Sequence, residues 1–190
     1  MRLESRRSVG GILSYFAAAV ARTLNGWTAA DLDLSGAADI DEVADRLRDV
    51  DPDADVGLLF VEVDDTYLAI LRLDDGEDLR VFVSDSAFAE ESRLGALLVD
   101  DLKTPALELD DVAEQGTEPT GGTGDEDAEQ PVADPDADPV GDADLLADLG
   151  ISAHRLLAVC AREGMLPADV TAEVCQAIGC GDEVEELREA

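Results

Sequence analysis

The chain has 190 residues, enough for one domain with a small appendage and for a core that needs neither disulfides nor metal. Its 46 acidic residues against 13 basic ones give a formal charge of −33, which repels phosphate backbones and argues against direct nucleic-acid binding. That charge favours a basic protein partner, although a general acidic bias of composition would produce the same number.

Residues 1–13 read as a disordered extension ahead of the first strand. Ser5-Arg6-Arg7, the apolar stretch from Val9 and the triplet Ala19-Val20-Ala21 imitate a twin-arginine export signal. However, Gly10, Gly11, Ser14 and Tyr15 interrupt that stretch, and cleavage after Ala21 would remove half of a hairpin. No run approaches the roughly 18 apolar residues that cross a membrane. A cytoplasmic protein is expected.

Residues 14–107 form the expected main domain. All seven aromatic residues lie between Tyr15 and Phe88, which places the main core there. Ser14 to Arg22 reads as a strand. Asn25-Gly26 signals a tight hairpin, because both residue types tolerate the positive φ of a type I′ turn, and Trp27 to Leu34 returns as the second strand. A helix begins at Asp39: Ile40, Val43, Ala44 and Leu47 make one stripe, and Asp39 with Glu42 is spaced as a capping box. Arg46 and Arg48 suit its C-terminal dipole, and Asp51-Pro52 ends it. Strands follow at Asp55–Val63, Tyr67–Leu73 and Arg80–Val83, separated by turns at Asp64-Asp65 and Asp74-Asp75-Gly76. Ser84-Asp85 then caps a helix carrying Phe88, Leu94, Leu97 and Leu98, with a break near Ser92 or Gly95. The fold class is α+β: a five-stranded antiparallel sheet in ββαβββα order, parallel in topology to the profilin, longin and roadblock modules. Topology of this kind transfers no function.

Residues 108–141 read as an acidic disordered linker. From Asp110 to Asp144 there are thirteen acidic residues, no basic ones and no aromatics, so burial cannot offset the ordering entropy. A docking tail for a basic partner is the functional alternative. Residues 142–190 form a helical subdomain, with helices at Asp142–Leu149, Ala153–Glu163 capped by Ser152, Pro167 to Gly179 and Asp182–Arg188. Such a piece is marginal alone and should form a small bundle or dock on the main domain.

Chemistry-bearing groups are sparse. His154, Cys160, Cys175 and Cys180 are the only His and all the Cys of the chain. Four such groups are the complement of a tetrahedral zinc site, and they are the weak metal candidates. Their spacing contains no CxxC or HxxxH, and His154 and Cys160 fall about 240° apart on one helix. Buried, reduced thiols are the simpler reading. Neighbouring acidic residues are too abundant to mark acid–base catalysis, and there is no phosphate-binding or nucleophile-elbow motif. No catalytic residue, cofactor or metal is expected. The strands at 55–63 and 67–73 are apolar on both faces, while two helices cover only one. The other face must therefore meet the C-terminal helices, a second copy or a foreign protein.

Four stretches carry a family resemblance: Ser14-Tyr15-Phe16-Ala17-Ala18-Ala19-Val20-Ala21-Arg22, Asn25-Gly26-Trp27, Val81-Phe82-Val83-Ser84-Asp85, and Gly141-Asp142-Ala143-Asp144-Leu145-Leu146-Ala147-Asp148-Leu149-Gly150. In that order they resemble the tRNA adenosine deaminase-associated proteins. The resemblance implies linkage to the enzyme that converts a tRNA wobble adenosine to inosine, and supplies no catalytic residues. The deaminase itself needs HxE and PCxxC segments; here Arg155 and Leu156 follow His154, and no Pro-Cys pair occurs. The expected function is a non-enzymatic accessory protein that binds the deaminase or another basic protein. The alternative is a self-associating profilin-like scaffold or sensing module, a homodimer with no role in tRNA modification.

Overall fold

The computed structural model describes residues 15–64, 66–88, 92–99, 139–162 and 164–189. The extension at 1–13 and the linker as far as residue 138 lie outside the described residues. In chain order the elements are β1 (Tyr15–Thr23), β2 (Gly26–Asp31), α1 (Ile40–Val50), β3 (Val56–Val63), β4 (Tyr67–Asp74), β5 (Asp78–Val83), α2 (Arg93–Val99), β6 (Val140–Gly141), α3 (Ala153–Cys160), α4 (Pro167–Ile178) and α5 (Gly181–Glu189).

The sheet has six strands, not five, in the spatial order β2-β1-β3-β4-β5-β6, and each neighbouring pair is antiparallel. The sixth strand lies within the stretch expected to be linker. Val140 pairs with Val83 and Gly141 with Phe82. Two residues carry no strand periodicity; β5, distant in sequence, holds them in place. Gly141 sits at φ 99°, where an added Cβ would stand 2.1 Å from the Val81 carbonyl oxygen.

Side chains alternate across the sheet, and both sides are buried. Ala17, Ala19, Leu59, Val61, Leu71 and Val83 pack under α1, with Phe88 and Leu98. Ala18, Val20, Leu58, Phe60, Ile70 and Phe82 pack under Leu145, Leu146, Leu156, Val159, Val174 and Val184 from beyond residue 139. The core is therefore not confined to the first hundred residues. The second face is closed by the chain's own C-terminal part, so it no longer argues for a partner.

The local chemistry of α1 explains its position. Asp39 accepts a hydrogen bond from the Glu42 N–H at 2.9 Å, and the Glu42 carboxylate accepts from the Ala38 N–H at 3.1 Å, a reciprocal cap reaching one residue beyond the usual box. That backbone bond, then the Arg46 side chain, holds the Glu42 carboxyl below the usual range. The β1–β2 turn differs from the expected one. Its central residues are Leu24 and Asn25, and only Gly26 takes a positive φ, 126°. Two consecutive left-handed residues occur instead at Asp75 (φ 50°) and Gly76 (φ 72°), between β4 and β5. Ser92 begins α2 by accepting from the Gly95 N–H at 2.7 Å, which is where the expected break falls. Residues 142–149 are not the expected helix. Asp142 accepts from the Asp144 N–H at 2.9 Å, which competes with helix formation, and only a 3₁₀ turn forms, at Ala147–Leu149. Ala143, Leu145 and Leu146 can then all point inward.

The last helix is anchored by Arg188. Its guanidinium pairs with the nearly buried Glu62 of β3 and lies 4.6 Å from the Phe16 ring centroid. Arg188→Ala is expected to cost about 1–2 kcal/mol and to release α5 first, seen as faster amide exchange over 181–189 than in β3.

Candidate interaction surface

The structure does not bring the four candidate ligands together. His154 is exposed on α3. Cys160 ends the same helix, half-buried against the second-face core, and burial pushes its thiol up to about 12. Cys175 on α4 and Cys180 just ahead of α5 are fully buried, and all three thiols are free. The Cys180 thiol beside it, together with burial, pushes the Cys175 pKa far upward. Raised thiols of this kind are poor nucleophiles. Among the described residues no three His, Cys, Asp or Glu side chains gather so as to hold a metal ion.

The basic side chains are largely occupied within the molecule. Arg46 pairs with Glu42 at 2.6 Å and donates to the Asp33 carbonyl at 2.6 Å. Arg48 pairs with Asp45 and donates through Nε to the Gly76 carbonyl at 2.8 Å. Arg162 meets Glu173 at 3.1 Å. These arginines are engaged within the molecule, while Arg93 and Arg155 are exposed.

One buried cation organises the second face. Arg72 of β4 is only 4% exposed. Its Nε donates to Asp74 at 2.9 Å, and the rest of the fork donates to Asp148 at 2.8 Å and to the Leu145 carbonyl at 2.6 Å. Arg80 joins through Asp74 at 2.7 Å and lies 3.7 Å from Asp142. The hydrogen bond from Arg72 holds the Asp148 carboxyl below the usual value. For Asp74, burial acts upward, but the bonds from Arg72 and Arg80 outweigh it and the net shift is downward. This is a structural clamp: every charged group in it is engaged with another. Arg72 corrects the expectation that strand 67–73 is apolar on both faces. A lone arginine amid Leu and Ile was the available signal, and its main partner lies 76 positions away.

A groove of about 490 Å³ opens at one end of the sheet, between the end of α1 and the β4–β5 turn. Leu47, Gly57 and Leu73 lie along it, and Asp51, Asp53, Asp55, Asp75 and Glu77 line it. No histidine or cysteine lines it, and Arg48 is already bound to Gly76. Such a lining attracts cationic side chains by charge and presents no nucleophile–base pair.

Residues 15–181 match the family model described as Rv3753c-like tRNA adenosine deaminase-associated protein. No curated protein and no solved structure gives a match. The matched span starts at the first residue of β1, includes α1 and α2 on one side of the sheet and the C-terminal segment through α4 on the other, and ends at the first residue of α5. Two of the stretches carrying the resemblance, at 81–85 and 141–150, meet through the Phe82–Gly141 pair of β5 and β6. The chain is a member of the Rv3753c-like tRNA adenosine deaminase-associated protein family.

Proposed function

We propose that this protein is a non-enzymatic accessory protein that binds a tRNA adenosine deaminase in the cytoplasm through its acidic surface, without touching nucleic acid or membrane itself. Family membership supports the pairing with the deaminase. The single observation that carries the mode of binding is the charge of −33, together with the internal engagement of Arg46, Arg48, Arg72, Arg80, Arg162 and Arg188. A surface of this sign is complementary to the basic face with which a tRNA-modifying enzyme holds its substrate, and would compete with tRNA for it. The acidic groove beside α1 is where a lysine- or arginine-bearing segment would seat.

Co-purification of the two full-length proteins tests this. At about 50 mM salt a complex should form, and at about 0.5 M it should weaken by at least tenfold, because screening acts on exposed charges. Added tRNA should displace the acidic protein. Absence of a complex at both salt concentrations removes the proposal. A complex indifferent to salt and to tRNA removes the electrostatic mode while keeping the association.

A further inference from the structure

Among the described residues β2 is an edge of the sheet, with β1 as its one neighbour. The Leu32 N–H donates to the Ala17 carbonyl at 2.9 Å, and the register places Ala19 opposite Ala30 and Ala21 opposite Thr28. In an antiparallel ladder these alternate residues turn both backbone groups toward the neighbour. Trp27, Ala29 and Asp31 therefore turn theirs outward. Among the described residues, no backbone group meets them there.

Exposed edges are normally blunted by lysine, proline, inward charge or a bulge within the strand. This one is not. From Leu24 to Ala30 the chain reads Leu-Asn-Gly-Trp-Thr-Ala-Ala, without charge or proline, in a protein whose residues are 31% charged. Leu24 at the hairpin tip is 99% exposed. Depletion of charge on an open edge is the composition of an interface core.

We propose that β2 pairs antiparallel with β2 of a second copy, across a two-fold axis at Ala29, joining two six-stranded sheets into one. The occupant follows from the register. A narrow antiparallel pair needs an outward residue opposite an outward residue. Setting Ala29 opposite itself does this, and also sets Trp27 opposite Asp31 of the second copy in both directions. All three outward residues are satisfied in one register, with about six main-chain hydrogen bonds. A two-fold interface requires this self-complementarity. The small side chains of Thr28, Ala29 and Ala30 leave the approach open.

Two copies of a strongly acidic chain repel one another, so this dimer should tighten as salt rises. An acidic–basic complex does the reverse, which separates this proposal from the deaminase association. The test is sedimentation of the full chain from micromolar to several hundred micromolar protein, at about 0.1 and 0.5 M salt. Two variants accompany it. Ala29→Pro removes an N–H that β1 does not use, a substitution edge strands tolerate. Thr28→Asp places a like charge beside the axis on an exposed side chain and leaves the backbone alone. The wild type should reach twice the monomer mass, more tightly at high salt. Both variants should dimerise at least about tenfold more weakly, with unchanged thermal melting. If Ala29→Pro melts early, Thr28→Asp decides the question. A wild type that stays monomeric at all concentrations overturns the proposal, as do variants that dimerise like the wild type. A monomeric wild type whose Ala29→Pro variant loses deaminase capture also overturns it, because the edge would then take a strand from that enzyme.

Discussion

Replacing Arg72 with methionine should cost the fold about 3 kcal/mol, read as a lower denaturant midpoint. Methionine keeps most of the bulk, so the loss isolates the polar contacts. The substitution strips the buried Leu145 carbonyl of its donor, which alone costs about 1–3 kcal/mol. It also removes one of the two arginines that hold Asp74 and frees Asp148. Breaking one partner of a buried ion pair typically costs about 3–5 kcal/mol, and the retained Arg80–Asp74 contact puts this case at the low end. Asp148→Asn should cost distinctly less, because that carboxylate is more than half exposed. A loss below about 1 kcal/mol for Arg72→Met would show that the clamp is incidental to docking of the C-terminal part. The clamp also sets an acid limit. Asp74 and Asp148 both have folded values below the ordinary 3.8. Their contribution is present at pH values above the unfolded value and is lost as pH falls through the lower, folded values. Wild-type stability should therefore fall more steeply than that of Arg72→Met below pH ~4.

Gly141→Ala should be of similar size, about 3 kcal/mol or a fall of roughly 10 °C in melting temperature. Two obstacles coincide at this position. The φ of 99° disfavours any side chain, and the new methyl would meet the Val81 carbonyl oxygen at 2.1 Å, a backbone atom that cannot swing away. That same oxygen accepts from the Asp142 N–H at 2.8 Å, so relief of the clash breaks the junction between β5 and the C-terminal part. Gly150 provides the comparison. It has the same φ of 99° but open space where a Cβ would stand, so Gly150→Ala should cost only the conformational strain, about 1–2 kcal/mol. Equal losses at the two glycines would refute the steric account.

What could be read from residues alone depended on how local the determinants were. The helix α1 carries its own stripe and its own cap, Asp39, within a dozen positions. The continuous apolar runs of β3 and β4 announce burial on both sides, because alternation is lost when both faces are covered. By contrast, β6 exists only through Phe82 and Val83, and no local pattern marks Val140-Gly141 as a strand. The stretch 142–149 has good helical spacing, yet the Asp142 side chain and the reach of Arg72 to the Leu145 carbonyl select a turn. For the surface, composition already predicted acidity. It could not show which arginines would be turned inward, since Glu62 and Arg188 meet across 126 positions.

The closing of the sheet by the segment after residue 139 has a consequence for biogenesis. During synthesis, Phe60, Ile70 and Phe82 emerge well before Leu145, Leu156 and Val174, which later cover them, so the half-made chain carries a bare greasy plane. Joining the two halves across a connection of about forty residues adds little entropic cost relative to a short loop, so the delay is one of timing rather than of equilibrium. Loss of the final helices by premature termination would leave that plane permanently open, and such fragments should be cleared or aggregate rather than persist as a smaller working protein.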